Sequence, residues 1–359
     1  MFCLREICTM NPKQRVLSTL SNETPDRIPV TCFTQVGIVE AMEKLNCPWP
    51  DSHSDPAKMA TLGTSLNKLA GLETARIPFC LTVEAEAMGC KVDMGRMDRQ
   101  PSIREAAFQS TSDVKITDDF LGRGRVPVVL EAIRILKKEY PDLPVIVGIT
   151  GPFTLAGHLV EIERLVKLMR MRPMDVEDVL DKVTDGSAMY AHELENAGAD
   201  VIVVNDPSAA PELIDPLSFK STIKPRLKFL AQGIRTKKVI HICGASTPIV
   251  SDMADAGFDA ISIEDKVDLA KAKELVKGGG RSMMVAGRMM TSQPRVVKVA
   301  GNVSTAKTLF MGRPEDVKSE AKKALEAGTD LLAPACGIAP RTPLANIQAL
   351  VEARDEFCK

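Results

Sequence analysis

The sequence contains few aromatic residues and no excess of basic residues. Phe, Trp and Tyr together make up 4% of its 359 residues, and the formal net charge is -1. Proteins that bind nucleic acids usually carry a basic patch, or aromatic side chains on which bases stack. We therefore expect no nucleic-acid partner.

Long apolar runs and a disulfide framework are also absent. No segment approaches the roughly 20 apolar residues that cross a bilayer, and Met1 to Glu6 lacks the hydrophobic region of a secretory signal. The nine cysteines are scattered without the spacing of a disulfide framework, which favours a reducing compartment. These features predict no membrane association and a cytoplasmic location.

Apolar strand-like runs alternate with amphipathic helical segments from residue 11 onwards. We interpret residues 1–10 as a short N-terminal extension, with Met10 as an alternative start, and residues 11–359 as one catalytic domain without an internal linker. About eight strand–helix units are counted, which predicts an α/β fold and a single (β/α)8 TIM barrel. The predicted strands are 27–33, 73–78, 144–150, 258–264 and 329–333, together with a strand and turn at 200–207 and a strand in the stretch 237–244. Less regular strand-like runs occur at 282–286 and 295–300.

Several polar residues directly follow predicted strands. In a TIM barrel the carboxyl ends of all strands meet on the rim that carries the active site. We therefore expect the following residues to lie together on one rim: Asn205, Asp206, His241, Cys243, Glu264 and Cys336.

The pair His241-x-Cys243 is the strongest candidate for a metal site. Side chains alternate in an extended segment, so residues 241 and 243 point the same way. Cys336 follows another strand and would complete a set of three ligands, which is typical of catalytic zinc with an open fourth position. The alternative is that these cysteines are small buried hydrophobic residues. Two thiolate ligands favour binding of a substrate thiol, so the site predicts alkyl transfer to a thiol, with hydrolysis as the alternative.

The remaining candidates each have a structural alternative. Glu264 is either a capping or salt-bridging acid or a carboxylate that occupies the fourth zinc position. Asn205 and Asp206 are either turn residues or substrate-binding residues, and His158 is either structural or part of the pocket. The run Gly278-Gly279-Gly280 lacks the spacing of a phosphate-binding loop.

Six segments carry a resemblance to a known family. These motifs are 23–30 (ETPDRIPV), 151–154 (GPFT), 205–207 (NDP), 257–262 (GFDAIS), 301–303 (GNV) and 335–337 (ACG). The chain resembles the uroporphyrinogen decarboxylase superfamily from about Asn11 to its C-terminus. Within it, His241-x-Cys243 with Cys336 looks like the zinc motif of the methylcobamide:coenzyme M methyltransferases of methanogenic archaea.

This resemblance implies a TIM-barrel enzyme of methylotrophic methanogenesis. Zinc held by His241, Cys243 and Cys336 would bind coenzyme M, and the methyl group would come from a corrinoid (methylcobamide) carried by a partner protein. Glu264 would occupy the zinc when substrate is absent, and the residues that bind the sulfonate of coenzyme M are not predicted. The sequence does not indicate which methyl source feeds the enzyme.

Three alternatives remain open at this stage. The acceptor thiol could be another one, such as homocysteine, or the chain could be a corrinoid-binding partner without catalytic activity. A decarboxylase is the third. The decarboxylases hold substrate carboxylates with an arginine-containing segment, whereas the corresponding residues 31–37 here read TCFTQVG and contain no arginine.

Overall fold

The computed structural model describes residues 9–277, 282–285, 288–291 and 296–359. Residues 1–8 of the predicted extension and the run Gly278–Gly280 lie outside the described residues. No helix in the described part of the chain combines the length and apolar character needed to cross a membrane.

A curled sheet of seven parallel strands forms the centre of the molecule, with order β1-β4-β5-β6-β7-β10-β11. Two antiparallel hairpins, β2–β3 and β8–β9, lie outside this sheet. The strands are β1 Ala75–Ile77, β2 Lys91–Asp93, β3 Ser102–Glu105, β4 Val145–Thr150, β5 Val201–Asn205, β6 Lys237–His241, β7 Ala260–Ser262, β8 Ser282–Val285, β9 Arg288–Thr291, β10 Lys298–Val303 and β11 Leu331–Pro334.

The segment around Val30 closes the sheet into a barrel. Val30 forms a parallel bridge with Leu332 of β11, and the backbone N–H of Glu73, just before β1, donates to the Val30 carbonyl at 2.7 Å. The segment therefore takes the place of the eighth strand. The prediction of a strand over 27–33 was wrong in extent, since only Val30 makes a bridge. Pro29 has no N–H to donate to a ladder, and the chain leaves the sheet soon after.

Helices cover the outside of the barrel, as in other α/β barrels. Their bounds are α1 Pro12–Leu20, α2 Val39–Lys44, α3 Pro56–Gly63, α4 Ser65–Ala70, α5 Val83–Ala87, α6 Val126–Glu139, α7 Pro152–Val160, α8 Ile162–Met171, α9 Pro173–Ala197, α10 Pro216–Ser218, α11 Lys224–Gly233, α12 Val250–Asp255, α13 Leu269–Leu275, α14 Pro314–Glu326 and α15 Leu344–Phe357. The prediction of an α/β TIM barrel is confirmed.

Two predicted segments differ from the structure. The sequence pattern predicts one helix over 56–69, but the structure divides it at Thr64, whose side-chain hydroxyl donates to the carbonyls of Ala60 and Thr61. Such side-chain bonds compete with the regular helical ladder. The strand expected at 295–300 begins and ends three residues later, as β10.

Helix α1 closes the amino-terminal end of the barrel. Val16 and Leu20 of α1 pack against inward-facing strand residues such as Ile146 and Val201. Arg15 of the same helix donates to Glu73, and Arg354 of α15 donates to the other oxygen of that carboxylate. The amino-terminal end is therefore filled by apolar side chains and by paired charges, which leaves the opposite end for a site.

Candidate metal centre

Three predicted ligands converge at the carboxyl-terminal end of the barrel. His241 Nε2 lies 3.2 Å from Cys243 Sγ, and Cys243 Sγ lies 3.5 Å from Cys336 Sγ. All three ligand atoms lie within 4.8 Å of one another. Tetrahedral zinc with bonds of about 2.0–2.3 Å separates its ligand atoms by roughly 3.5–3.8 Å. The three side chains therefore fit one zinc ion.

The local backbone explains how His241 and Cys243 come together. His241 is the last residue of β6, and Gly244 then turns the chain with φ at +81°, a left-handed value that favours glycine. A side chain at position 244 would also collide with the Glu212 carboxylate, because its Cβ would lie 2.4 Å from Oε2. Cys336 arrives from β11, two residues after that strand ends.

The two thiols share a hydrogen bond and affect each other's protonation. The hydrogen bond between them lowers the pKa of Cys336 and raises the pKa of Cys243, and burial also penalises the charged form of each thiol. His241 further favours the thiolate of Cys336. The hydrogen bond therefore favours the thiolate on Cys336 and the protonated thiol on Cys243.

Ser262 orients His241, and the sequence analysis did not identify it. Its Oγ lies 3.0 Å from His241 Nδ1, and the two residues are register partners on the neighbouring strands β6 and β7. A hydrogen bond at one ring nitrogen fixes the ring and leaves the other nitrogen available as a ligand. The signal in the sequence was a small polar residue at the inward-facing end of the next strand.

Glu264 lies beside the cluster but outside the group of converging ligand atoms. Its Oε2 accepts a hydrogen bond from the backbone N–H of Gly244, the residue after Cys243. Its negative charge is also one of the causes that raise the pKa of Cys243. The predicted role of Glu264 as a fourth ligand stays a prediction.

The two other candidates, Asn205 and Asp206, face different surroundings. Asn205 ends β5 and lines the cavity beside the cluster. Asp206 is fully buried, and its carboxylate accepts hydrogen bonds from the backbone N–H groups of Phe153 and Thr154 at the start of α7. Contact of Asn205 and Asp206 with substrate stays a prediction, and the contacts of Asp206 give it a role at the start of that helix.

His158 lies on α7 and does not line the cavity in the described structure. It is partly buried, and its backbone carbonyl accepts a hydrogen bond from the Cys90 thiol at 3.3 Å. Of the two alternatives for this residue, the structural one agrees with its position.

A cavity of about 330 Å³ opens directly over the cluster. That volume suits a small molecule. Pro78, Phe79, Leu81 and Pro207 provide apolar walls, and the polar lining includes Arg76, for which the sequence analysis proposed no role. Arg76 stands in a short strand among apolar neighbours, and its inward-facing position was the only signal.

Comparisons with known proteins agree with the fold. The uroporphyrinogen decarboxylase (URO-D) family model matches residues 11–357. Methylcobamide:CoM methyltransferase MtaA of Methanosarcina barkeri is 41% identical over 348 residues, covering 96% of this chain and 98% of the relative. Methylcobamide:CoM methyltransferase MtbA of Methanosarcina acetivorans is 34% identical, with coverage of 96% and 98%. A solved methyltransferase from Methanosarcina mazei superimposes with a TM-score of 0.91 at 42% identity, covering 98% of this chain and 100% of that one.

Proposed function

The chain belongs to the uroporphyrinogen decarboxylase family and to its methylcobamide:coenzyme M methyltransferase subgroup, and we propose that it methylates the thiol of coenzyme M. The methyl group would come from a methylated corrinoid carried by a partner protein. Enzymatic methyl transfer between a corrinoid and a thiol is what its relatives' names describe. The choice of coenzyme M and the use of zinc are our proposals.

The observation that carries the proposal is the convergence of His241 Nε2, Cys243 Sγ and Cys336 Sγ. Two sulfur ligands and one nitrogen ligand suit zinc and leave one position for a substrate. Bound zinc would hold the acceptor thiol in its thiolate form near neutral pH. Ser262 would keep the imidazole of His241 aimed at the site, and the apolar walls of the cavity would exclude water from the nucleophile.

The reaction balances without an added oxidant or reductant. The acceptor sulfur attacks the methyl carbon of methyl-Co(III) corrinoid, and the new carbon–sulfur bond forms as the cobalt–carbon bond breaks. The electron pair of the broken bond stays on the corrinoid, which leaves as Co(I), and the product is methyl-coenzyme M. The thiol proton must leave before attack, because the thiolate is the reactive nucleophile.

The corrinoid is too large for the cavity, so the partner must present it at the open carboxyl-terminal end of the barrel. We also propose the cytoplasm as the compartment. The described cysteines are all free thiols, which agrees with a reducing environment.

Zinc content and methyl transfer test the proposal together. We expect one zinc per wild-type chain, and a sulfur ligand added to its coordination when coenzyme M binds, as measured by X-ray absorption at the zinc edge. Cys243→Ala should lose or weaken zinc binding and lose methyl transfer from methylcobalamin to coenzyme M, since it removes one of three ligands. Acceptor competition with homocysteine tests the choice of thiol.

Cys90→Ala is the matched control. Cys90 is also a buried thiol, but it contacts the backbone of His158 rather than the cluster. This variant should keep its zinc and its activity. The proposal would be contradicted if the wild-type protein contained no zinc, or if the zinc coordination did not change when coenzyme M is added.

A further inference from the structure

Arg76 is a buried cation without a paired anion. Its side chain is only 2% exposed, and no carboxylate of the described residues lies within ion-pair distance of it. It lines the same cavity as His241, Cys243 and Cys336. Buried charges in proteins are normally paired or bound to a metal, so this arginine needs an explanation.

The hydrogen bonds of Arg76 hold the guanidinium in place but leave part of it unused. Nε donates to the Phe33 carbonyl at 3.0 Å, and Nη1 donates to the carbonyls of Ile77 and Pro78 at 2.6 Å each. An arginine has five N–H donors. Within the described part of the chain, the two donors of Nη2 have no protein acceptor.

Gly148 provides the room for this arrangement. A Cβ at position 148 would lie 2.0 Å from Arg76 Nη2, so any other residue would displace the guanidinium. Gly148 belongs to β4, whose neighbour in the sheet is the strand of Arg76. The barrel interior thus has a gap in its side-chain packing that the guanidinium fills, which fixes its position before any ligand binds.

Arg76 and the metal cluster are close neighbours within the barrel. Arg76 lines one cavity of about 330 Å³ together with His241, Cys243 and Cys336. A short molecule in the shared cavity could contact the cluster with one end and Arg76 with the other.

The electrostatics favour an anionic ligand. Burial lowers the pKa of Arg76 to about 10, so the side chain is still cationic at neutral pH and carries an uncompensated desolvation cost. The nearby carboxylate of Glu84 is engaged elsewhere, since it accepts hydrogen bonds from the backbone N–H and the hydroxyl of Thr150. Burial also raises the pKa of Glu84, which reduces its value as a counterion.

We infer that Arg76 binds the anionic end of the acceptor thiol through Nη2 and thereby selects short thiols that carry a sulfonate or carboxylate. This inference rests on the proposed function, because it identifies one end of that acceptor. Arginine suits such a group, since its planar fork matches the oxygens of an oxyanion. The residues that bind the sulfonate were not identifiable from the sequence.

The same cavity disfavours a zwitterionic amino-acid thiol such as homocysteine. None of the described residues that line it is Asp or Glu. An ammonium group would therefore lose its hydration without gaining a carboxylate partner, and it would lie near a buried arginine of the same sign. The inference thus favours coenzyme M over the alternative acceptor.

Binding of ethanesulfonate, which has the anion but no thiol, tests the Arg76 subsite alone. We expect wild-type protein to bind it in isothermal titration calorimetry, with or without zinc, and coenzyme M to compete with it. Arg76→Gln should weaken this binding by roughly 10- to 100-fold, the effect of losing a hydrogen bond to a charged group. Unchanged affinity in Arg76→Gln would overturn the inference.

A comparison of two thiols tests selection at the complete site. Wild-type zinc protein should bind coenzyme M more tightly than 2-mercaptoethanol, which lacks the anion. In Arg76→Gln the ratio of the two affinities should fall by roughly 10- to 100-fold, while the affinity for 2-mercaptoethanol stays the same. An equal loss for both thiols would indicate a purely structural role and would also overturn the inference.

Arg125→Gln is the matched control for loss of a buried arginine. Arg125 is also largely buried, but its charge is paired with Glu86 at 2.6 Å, and it does not line the cavity in the described structure. The Arg125→Gln variant should have the same ratio of affinities for coenzyme M and 2-mercaptoethanol as the wild type.

Two further measurements test the inference even if Arg76→Gln does not fold. Arg76→Lys should retain part of the selectivity, because it keeps the charge but loses the fork. Wild-type protein should bind ethanesulfonate but not the neutral ethyl methyl sulfone, and equal binding of the two would overturn the inference. If a protein without zinc binds ethanesulfonate and this binding depends on Arg76, the inference holds although the proposed function fails. The two failures can therefore be told apart.

Discussion

The two ends of the barrel each contain a buried arginine, and the two arginines differ in their hydrogen-bond partners. At the amino-terminal end, Arg354 is 1% exposed and bonds two carboxylates, with 3.0 Å to Glu73 and 2.6 Å to Asp355. At the carboxyl-terminal end, Arg76 is almost as deeply buried, but among the described residues it donates only to backbone carbonyls. The same residue type is thus neutralised at one end and left with its charge and two donors at the other.

This difference distinguishes charged groups that stabilise the fold from groups that are available to bind a ligand. Glu73 is bonded by Arg15 and Arg354 together, so every charge in that network has a partner inside the protein. The cluster of His241, Cys243 and Cys336 and the guanidinium of Arg76 have binding capacity that the protein itself does not use. A metal ion and an anionic thiol would use it, which is why unpaired buried groups indicate the site.

The largest effect is expected at the carboxyl-terminal end, from Cys336→Ala. Loss of a direct zinc ligand should reduce zinc affinity and methyl transfer by more than the roughly 10- to 100-fold typical of an outer-shell partner. The free energy of unfolding of the metal-free protein should change little, because the thiol is only partly buried. Zinc content, methyl-transfer rate and urea unfolding of the metal-free chain check these outcomes. Normal zinc content in the variant would contradict the assignment of Cys336 as a metal ligand.

Glu73→Gln should give the opposite result at the amino-terminal end. Neutralising Glu73 removes the buried partner that Arg15 and Arg354 share and leaves them only their pairs with Asp26 and Asp355. Breaking a buried ion pair destabilises by about 3–5 kcal/mol. Activity per folded molecule should be unchanged, since Glu73 lies at the opposite end from the cavity. Urea unfolding and specific activity provide the two measurements.

The control for Glu73→Gln is Glu105→Gln. Glu105 pairs with Lys91 at 2.7 Å, but both side chains are more than half exposed, and exposed ion pairs contribute only about 0–1 kcal/mol. Similar losses of stability in the two variants would show that burial does not distinguish the amino-terminal network from a surface pair.

Ser262→Ala should have an intermediate effect confined to the metal site. The substitution removes the hydrogen bond to His241 Nδ1, and loss of such an outer-shell partner typically costs 10- to 100-fold in metal affinity. Competition with a zinc chelator measures the change. Ser246→Ala is the matched control, because Ser246 is a buried serine near Cys243 whose hydroxyl has no hydrogen-bond partner in the part of the chain that the structure describes. Equal zinc affinities in the two variants would show that Ser262 does not orient His241 for metal binding.

The sequence was informative where a local pattern determines the structure. His241 and Cys243 share a face because side chains alternate in extended chain, and Cys336 joins them because parallel strands bring their carboxyl ends to one rim. The same reasoning predicted the barrel from its alternation of strands and helices. These inferences need only local order and the known geometry of the fold.

The sequence was less informative where packing between residues that are distant in the chain determines the structure. The closing segment at Val30 makes one bridge rather than a strand, and the hairpin β2–β3 has no strong alternating pattern. The inward-facing position of Arg76 was its only signal, since its role depends on the missing side chain of Gly148 on another strand and on the lack, among the described residues, of a carboxylate within ion-pair distance. Neither condition is visible in the residues that flank Arg76.

At neutral pH the smallest expected effect concerns His53, a buried residue away from the metal cluster. Neither ring nitrogen has a hydrogen-bond partner among the described residues, and the ring centroid lies 5.0 Å from that of Trp49 and 5.8 Å from that of Phe79. Burial lowers the pKa of His53 to about 3, against 6.5 for an exposed histidine. Between these values the unfolded chain binds one more proton than the folded chain. The free energy of unfolding should therefore fall as the pH drops below 6.5, by about 1.4 kcal/mol per pH unit for this residue.

His53→Phe keeps an aromatic ring in the same apolar surroundings and removes the titrating group. Its free energy of unfolding should depend less on pH than that of the wild type between pH 6 and 4, as measured by urea unfolding at several pH values. Burial also lowers the pKa of His158, to about 4, so replacing His158 with Met as well should flatten the remaining dependence. A wild-type slope in His53→Phe would show that His53 is charged in the folded protein. In that case an unpaired charge would exist away from the cluster, and the contrast between the two ends would no longer identify the site.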